Sequence, residues 1–306
     1  MGRKPISMPR PGGARTDLVW AFRVATVVMG ALAWCYKAEL DIITEQAYQM
    51  CRESWIFRHD SFEPVVATLS FGLWIHWFAF VDDVLPLKQY LMEPNRVKDR
   101  YTGVPQKVAA LYLSVLFVFD WFYPRRRLPE EGPGSFFKVV TDIASGLFVY
   151  DLLFFPIHLA MHKVSFLRKF HVKHHEAKAL FSTEVLRHSI VDGSCQVMVN
   201  IATLNLLKMH PFSRAIYNVV VTYWLTSTHS GYDLPCMLHN IVPFNLIGGS
   251  VRHEEHHREG RRHFQQFFTY LDDILLPVAT TGVRFDDLKK QVPTTLQGYL
   301  SKLHSS

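Results

Sequence analysis

Cysteine is scarce in this 306-residue chain: there are four, Cys35, Cys51, Cys195 and Cys236, with no C-x-x-C pair among them. That scatter supports neither a disulfide framework nor a cysteine-ligated zinc site, and free thiols are the expectation. Charge is thin as well, at 20% of residues against the quarter usual in a soluble domain. No fixed-period repeat is present, and low complexity is confined to MGRKPISMPRPGGAR, Met1–Arg15, a basic stretch read as a disordered tail. The apolar segment after it lacks a small-residue cleavage site, so an uncleaved anchor is expected in place of a secretory signal. There is no acidic excess, since the net charge is +6. Nucleic acid is nonetheless not an expected partner, because the basic residues flank hydrophobic runs and form no stripe with interleaved aromatics. That pattern suits a membrane surface.

What is abundant is apolar and aromatic. Hydrophobic residues make up 49% of the chain, with 23 Phe, 12 Tyr and 7 Trp. A bilayer crossing takes about 20 mostly apolar residues, and five runs qualify in whole or part: Leu18–Tyr36, Val65–Leu85, Val108–Tyr123, Val139–Met161 and Gln196–Thr228. The last is broken at Lys208-Met209-His210-Pro211, so three to five spans are expected. Several runs carry a polar residue: Arg23, His76, Asp120, Asp142 and Asp151. An ionisable group at membrane depth faces the bundle interior by default and marks a candidate site. Basic residues close the third run (Arg125, Arg126, Arg127), the fourth (Lys163, Arg168, Lys169, Lys173) and the fifth (Arg252, Arg258, Arg261, Arg262). If positive ends stay cytoplasmic, those three segments lie on the cytosolic side. The expected architecture is an all-α integral membrane bundle.

Histidine is the informative residue. Of sixteen, eight fall into three tight groups: His158 and His162; His171, His174 and His175; His253, His256 and His257. At this frequency about 0.04 H-x-x-H-H matches are expected by chance, and two are present. On a helix, positions i and i+3 or i+4 share a face, so the first histidine of each box neighbours the last two. An adjacent pair diverges by about 100° and naturally addresses two different ions. The stretch RHEEHHREG also contains H-E-x-x-H (His253, Glu254, His257), the zinc box of metalloproteases. That box uses two of the eight and leaves six boxed histidines idle, and a tetrahedral zinc takes only four ligands, or three and a water. A dimetal site uses all eight. Imidazole suits zinc, copper, iron and nickel alike; iron is inferred because activating an inert lipid C–H bond calls for O₂ chemistry.

The three boxes, in this order and separation, resemble the fatty acid hydroxylase/sterol desaturase superfamily of membrane di-iron enzymes. The likeness runs from about Val139 to about Pro277. Within it, HSGYDLP (His229–Pro235), VPF (Val242–Phe244) and IGGSVRHEEHH (Ile247–His257) are similar to its sterol-acting branches, and KMHPF and HFQQFFTYLDDIL to its sterol-hydroxylating ones. The resemblance implies a multi-pass protein of the endoplasmic reticulum membrane whose two iron ions face the cytosol. It further implies O₂ as co-substrate, a sterol or fatty-acyl substrate, and electrons from NAD(P)H through a reductase or cytochrome b5. It adds His229 as a ninth ligand. Where relatives place another histidine four residues on, this chain has Asp233, which either binds metal or orients His229. Desaturation, C-4 methylsterol oxidation, fatty-acid or sphingolipid hydroxylation and a non-enzymatic metal-binding role remain alternatives. The implied division is a tail over 1–16, membrane helices over 17–135, a catalytic domain over 136–280 and a tail over 281–306.

Other residues draw weaker expectations. His76 reads as an interior polar residue, His188 and His263 as surface groups, and His239 as no ligand. Asp142 and Asp151 are expected to support box histidines or to bond between helices. Glu176, Glu254 and Glu255 are expected to be solvated or to adjoin ligands without coordinating. Pro156, two residues before His158, is expected to kink its helix.

Overall fold

The computed structural model describes residues 13–97, 114, 118, 128–177 and 179–281. Helices account for nearly all regular structure: α1 Gly13–Cys35, α2 Lys37–Glu53, α3 Phe62–Val84, α4 Phe136–Lys163, α5 Ser165–His171, α6 Ile190–Leu206, α7 Pro211–Thr228, α8 Leu238–Ile241, α9 Gly249–Glu259 and α10 Tyr270–Thr281. Among the described residues only two isolated bridges, Leu91 with Tyr232 and Ile247 with Phe268, have β character. All four cysteines are free. Most of the third apolar run, the N-terminal tail through residue 12 and the C-terminal tail from 282 lie outside the described residues.

Local chemistry sets the helix ends. Ser135 caps α4 by accepting from Lys138 N at 3.1 Å, and Ser189 caps α6 by accepting from Asp192 N at 3.1 Å. Pro211 occupies the first turn of α7, where its missing N–H costs nothing, and His210 Nδ1 accepts from Phe212 N. The fifth apolar run is thereby split into α6 and α7, with Lys208 at φ 46 in the turn. Gly260, at φ 61, closes α9 in the left-handed conformation.

Among the described residues three helices are long and apolar enough to cross a membrane: Asp17–Cys35 of α1, α3 and α4. Their outward faces carry exposed apolar side chains, among them Trp20, Val27 and Met29 on α1, Leu69 and Leu73 on α3, and Phe148 and Leu152 on α4. His76 is exposed on α3 with Nδ1 2.6 Å from Gly72 O, so it is not an interior residue.

The core lies between α4, α6 and α7, where Leu147, Tyr150, Phe154, Val199, Leu204, Tyr217, Val221 and Trp224 pack together. Gly146 lets α4 and α7 approach closely, because a Cβ there would lie 2.6 Å from the Tyr217 ring. On its other side α7 meets α3, with Trp74 Nε1 donating to Val219 O at 3.1 Å and the Trp74 and Tyr223 rings meeting edge-on at 5.0 Å. Asp142 pairs with Lys138 and accepts from Ser213 Oγ at 2.9 Å, so it links α4 to α7 and touches no box histidine.

Candidate metal centre

The geometry of α4 places the first box at the edge of the apolar layer. His158 lies 22 residues into α4, about 33 Å along its axis at 1.5 Å per residue. A hydrocarbon core is about 30 Å thick. His158 and His162, one turn apart, therefore emerge where the lipid-compatible part of α4 ends. The second box follows directly on α5 and the 3₁₀ turn His174–Glu176, and the third lies on α9.

All three boxes and His229, at the C-terminal end of α7, converge. Their ring nitrogens form two groups, and within each group the atoms all lie within 4.8 Å of one another. One holds His158, His162, His171, His175 and His256; the other holds His174, His229, His253 and His257. The adjacent histidines part company as helical geometry requires. His174 and His175 go to different groups, and so do His256 and His257.

The hydrogen bonds fix which nitrogen faces inward. His158 donates from Nδ1 to Phe264 O at 2.6 Å, His256 to Arg262 O at 2.8 Å and His229 to Leu225 O at 2.7 Å. His171 Nδ1 donates to Asp192 Oδ2 at 2.9 Å. A neutral imidazole has a single N–H, so each Nε2 presents a lone pair to the centre. Lone pair then faces lone pair: His158 Nε2 is 3.1 Å from His171 Nε2, and His229 Nε2 is 2.8 Å from His253 Nε2. His162 Nε2, His256 Nε2 and His257 Nδ1 are buried with no hydrogen-bond partner among the described residues. Burial first, then neighbouring imidazoles, holds His174, His253, His256 and His257 well below the usual histidine range, so protonation does not relieve the crowding. A cation does. Two nitrogens each about 2.1 Å from one ion and at right angles to it lie about 3 Å apart, which matches the observed contacts. The donor set is all imidazole nitrogen and fits a transition metal in both groups.

Neither group includes a carboxylate. Asp233 lies with its Oδ1 3.0 Å from His239 Nε2 and accepts from Asn240 Nδ2 at 2.7 Å, so it neither joins a group nor orients His229. Asp151, fully buried, holds no histidine either. It accepts from the backbone N–H groups of Gln266, Phe267 and Phe268 and from Gln265 Nε2, pinning the loop whose Phe264 carbonyl receives His158. Glu254, the base that a zinc peptidase would need, belongs to neither group; burial first and then Glu93 push it up to about 7. Glu255 pairs with Arg262 at 2.5 Å and with His263 at 3.2 Å, so His263 is tied to α9 and is not a free surface group. Glu176 is exposed.

The sequence marks neither Asp192 nor Arg96 as part of the centre, and it reads His188 as a surface group. His188 is at the site: its ring stacks on His174 with centroids 4.3 Å apart, and its Nδ1 lies 3.1 Å from Asp192 Oδ2. Burial alone would raise the Asp192 carboxyl, but the hydrogen bonds from His171 and His188 hold it well below the usual carboxylate range. The signal was the i, i+4 spacing of His188 and Asp192. Arg96 donates to Leu180 O at 2.7 Å and Ser230 O at 2.6 Å and pairs with Asp82, bracing the chain just after His229. Gly231, at φ 72, lies against this guanidinium, where a Cβ would be 2.2 Å from Arg96 Nη1. Beside the two groups a cavity of about 10 Å³, room for about one water, is lined by His158, His171, His174 and His229, by apolar Phe154, Val185 and Leu225, and by His188, Gln196 and Gln266.

Comparison with known proteins agrees with this arrangement. Residues 143–276 match the family model described as Fatty acid hydroxylase, a stretch that contains every histidine of both groups. Cholesterol 25-hydroxylase of Homo sapiens is 30% identical over 203 residues, covering 64% of this chain and 74% of the human protein. A cholesterol 25-hydroxylase-like protein of Danio rerio is 29% identical over 165 residues, or 54% of this chain and 65% of the fish protein. One from Caenorhabditis elegans is 25% identical over 241 residues, or 75% and 78%. No solved structure matches. A likeness sustained over almost three quarters of the human protein, and running through the segment that builds both groups, places the chain in the fatty acid hydroxylase family.

Proposed function

We propose that this chain is an O₂-dependent di-iron monooxygenase that hydroxylates a lipid C–H bond, with a sterol as substrate. The observation that carries the proposal is the parting of adjacent histidines, which makes two all-imidazole groups from three boxes. In this reading His158, His162, His171, His175 and His256 hold one iron, and His174, His229, His253 and His257 hold the other. Bound iron supplies the activation of O₂ that an inert C–H bond demands. The remaining work belongs to the protein. Carbonyls of Leu225, Phe264 and Arg262 hold the protons of His229, His158 and His256 on Nδ1, so that Nε2 stays an acceptor. Phe154, Val185 and Leu225 set an apolar wall beside both groups, which keeps bulk water from them. The sterol assignment rests on the cholesterol 25-hydroxylases among the relatives. In this reading residues 136–280 form the catalytic unit, and the basic ends of the helices support a centre on the cytosolic face of the endoplasmic reticulum membrane. There a reductase or cytochrome b5 delivers electrons from NAD(P)H.

The test is expression in a sterol-producing host, with lipid mass spectrometry of cells carrying the intact chain, His174→Ala or His256→Ala. An oxygenated lipid is expected with the intact chain alone. A new double bond would identify a desaturase, and successive oxidation to an acid a methylsterol oxidase. Identical lipid profiles for all three would sink the enzyme.

A further inference from the structure

The two groups are not supported alike. Leu225, Phe264, Arg262 and Arg187 contribute neutral backbone carbonyls to His229, His158, His256 and His174. His175 Nδ1 likewise lies 3.4 Å from His257 O. Among the described residues only His171, of the nine, meets a charged acceptor, Asp192, whose side chain is fully buried. The same oxygen takes His188, and Gln196 Nε2 lies 3.5 Å from the other oxygen. Ser189 caps α6 just before Asp192, so the carboxylate is held by the helix that carries it. A carboxylate behind a metal-binding imidazole orients the ring and makes its free nitrogen a stronger donor. A neutral carbonyl orients the ring with less charge transfer.

We infer that Asp192 makes the two metal sites inequivalent, so that the five-histidine group containing His171 binds its ion more tightly and fills first. This rests on the metal-centre reading above and goes beyond it by assigning an order to the sites and a residue that sets it. His188 has the complementary role: stacked on His174 and bonded to Asp192, it keeps the carboxylate in place from the side of the four-histidine group. Asp192 is a positioning residue, since it reaches an ion only through His171.

The experiment is titration of chelator-stripped, detergent-purified full chain with Co(II) under anaerobic conditions, followed by visible absorption and by metal content after desalting. For the intact chain two resolved steps are expected, adding up to two ions. Asp192→Asn keeps an acceptor for His171 but removes the charge. It is expected to weaken the tighter step about 10- to 100-fold and leave the other where it was. That retained step also reports that the variant is folded. Asp192→Ser is read in the same way if the Asn variant does not purify as a monodisperse species. Equal weakening of both steps, or no change in either, overturns the inference while leaving the metal centre standing. Failure of the intact chain to take up two ions would overturn the metal-centre reading itself.

Discussion

Asp151 and the histidines show what single residues reveal in a sequence and what they conceal. The boxes were legible because donors for one ion must recur at helical spacing, and the split between adjacent histidines follows from the angle per residue. Their supports were not. Most of the nine rings meet backbone carbonyls, among them those of Leu225, Arg187, Arg262, Phe264 and His257, and a backbone acceptor leaves no mark on residue identity. Asp151 drew attention as a charge in an apolar run, yet it serves the loop after Phe264 and no ring. Removing it should therefore act on stability before metal. Asp151→Ala would strand three backbone N–H groups, two buried and one partly buried, and each unsatisfied buried group costs about 1–3 kcal/mol. The expected outcome is a loss of about 3 kcal/mol, read as a lower thermal midpoint in detergent. An unchanged midpoint would show that the loop is held by something else.

At the scale of elements, apolar runs predicted helices well and their contacts poorly. The fourth run is α4 to within three residues at each end, because nothing inside it except Pro156 opposes a helix. The fifth run reads as one stretch broken near Pro211, and α6 and α7 bear that out. What no run discloses is which helices touch, since a stripe of Leu, Val and Phe is compatible with lipid or with another helix. Gly146 marks one such contact, and its meaning appears only when Tyr217 lies across it. Gly146→Val would drive a side chain into that ring and wedge α4 from α7, at about 1–3 kcal/mol for overpacking. Because His158 and His229 ride on these two helices, ion retention should fall along with the thermal midpoint. Full retention of both ions at a lowered midpoint would mean that the two helices move without disturbing their histidines.

Taken whole, the molecule is an apolar bundle that gathers imidazoles at one end, and this asymmetry dictates its response to acid. Outside α4, His175 is lowered to about 4 and His229 to about 3 by burial, and His174, His253, His256 and His257 are lowered too. In the unfolded chain each would titrate near 6.5. Below that value the unfolded state binds more protons than the folded one, so stability falls as pH drops from about 6.5 toward 4. Two carboxyls work in the opposite direction. Burial raises Asp272 to about 6 and Glu254 to about 7, and protonating them relieves a cost as the pH falls through those values. Six depressed imidazoles outnumber two raised carboxyls, so acid destabilisation wins. Ion loss has the same sign, because a proton and a metal compete for one lone pair. Thermal midpoints of the purified protein, measured with and without a chelator at pH 7.5, 6.5 and 5.5, should fall with acid in both series. The chelated series should start lower, because stripping the ions leaves facing lone pairs uncompensated. Superimposable curves would mean that the imidazoles hold no ion under those conditions, and a midpoint that climbs toward pH 5.5 would give the balance to the carboxyls.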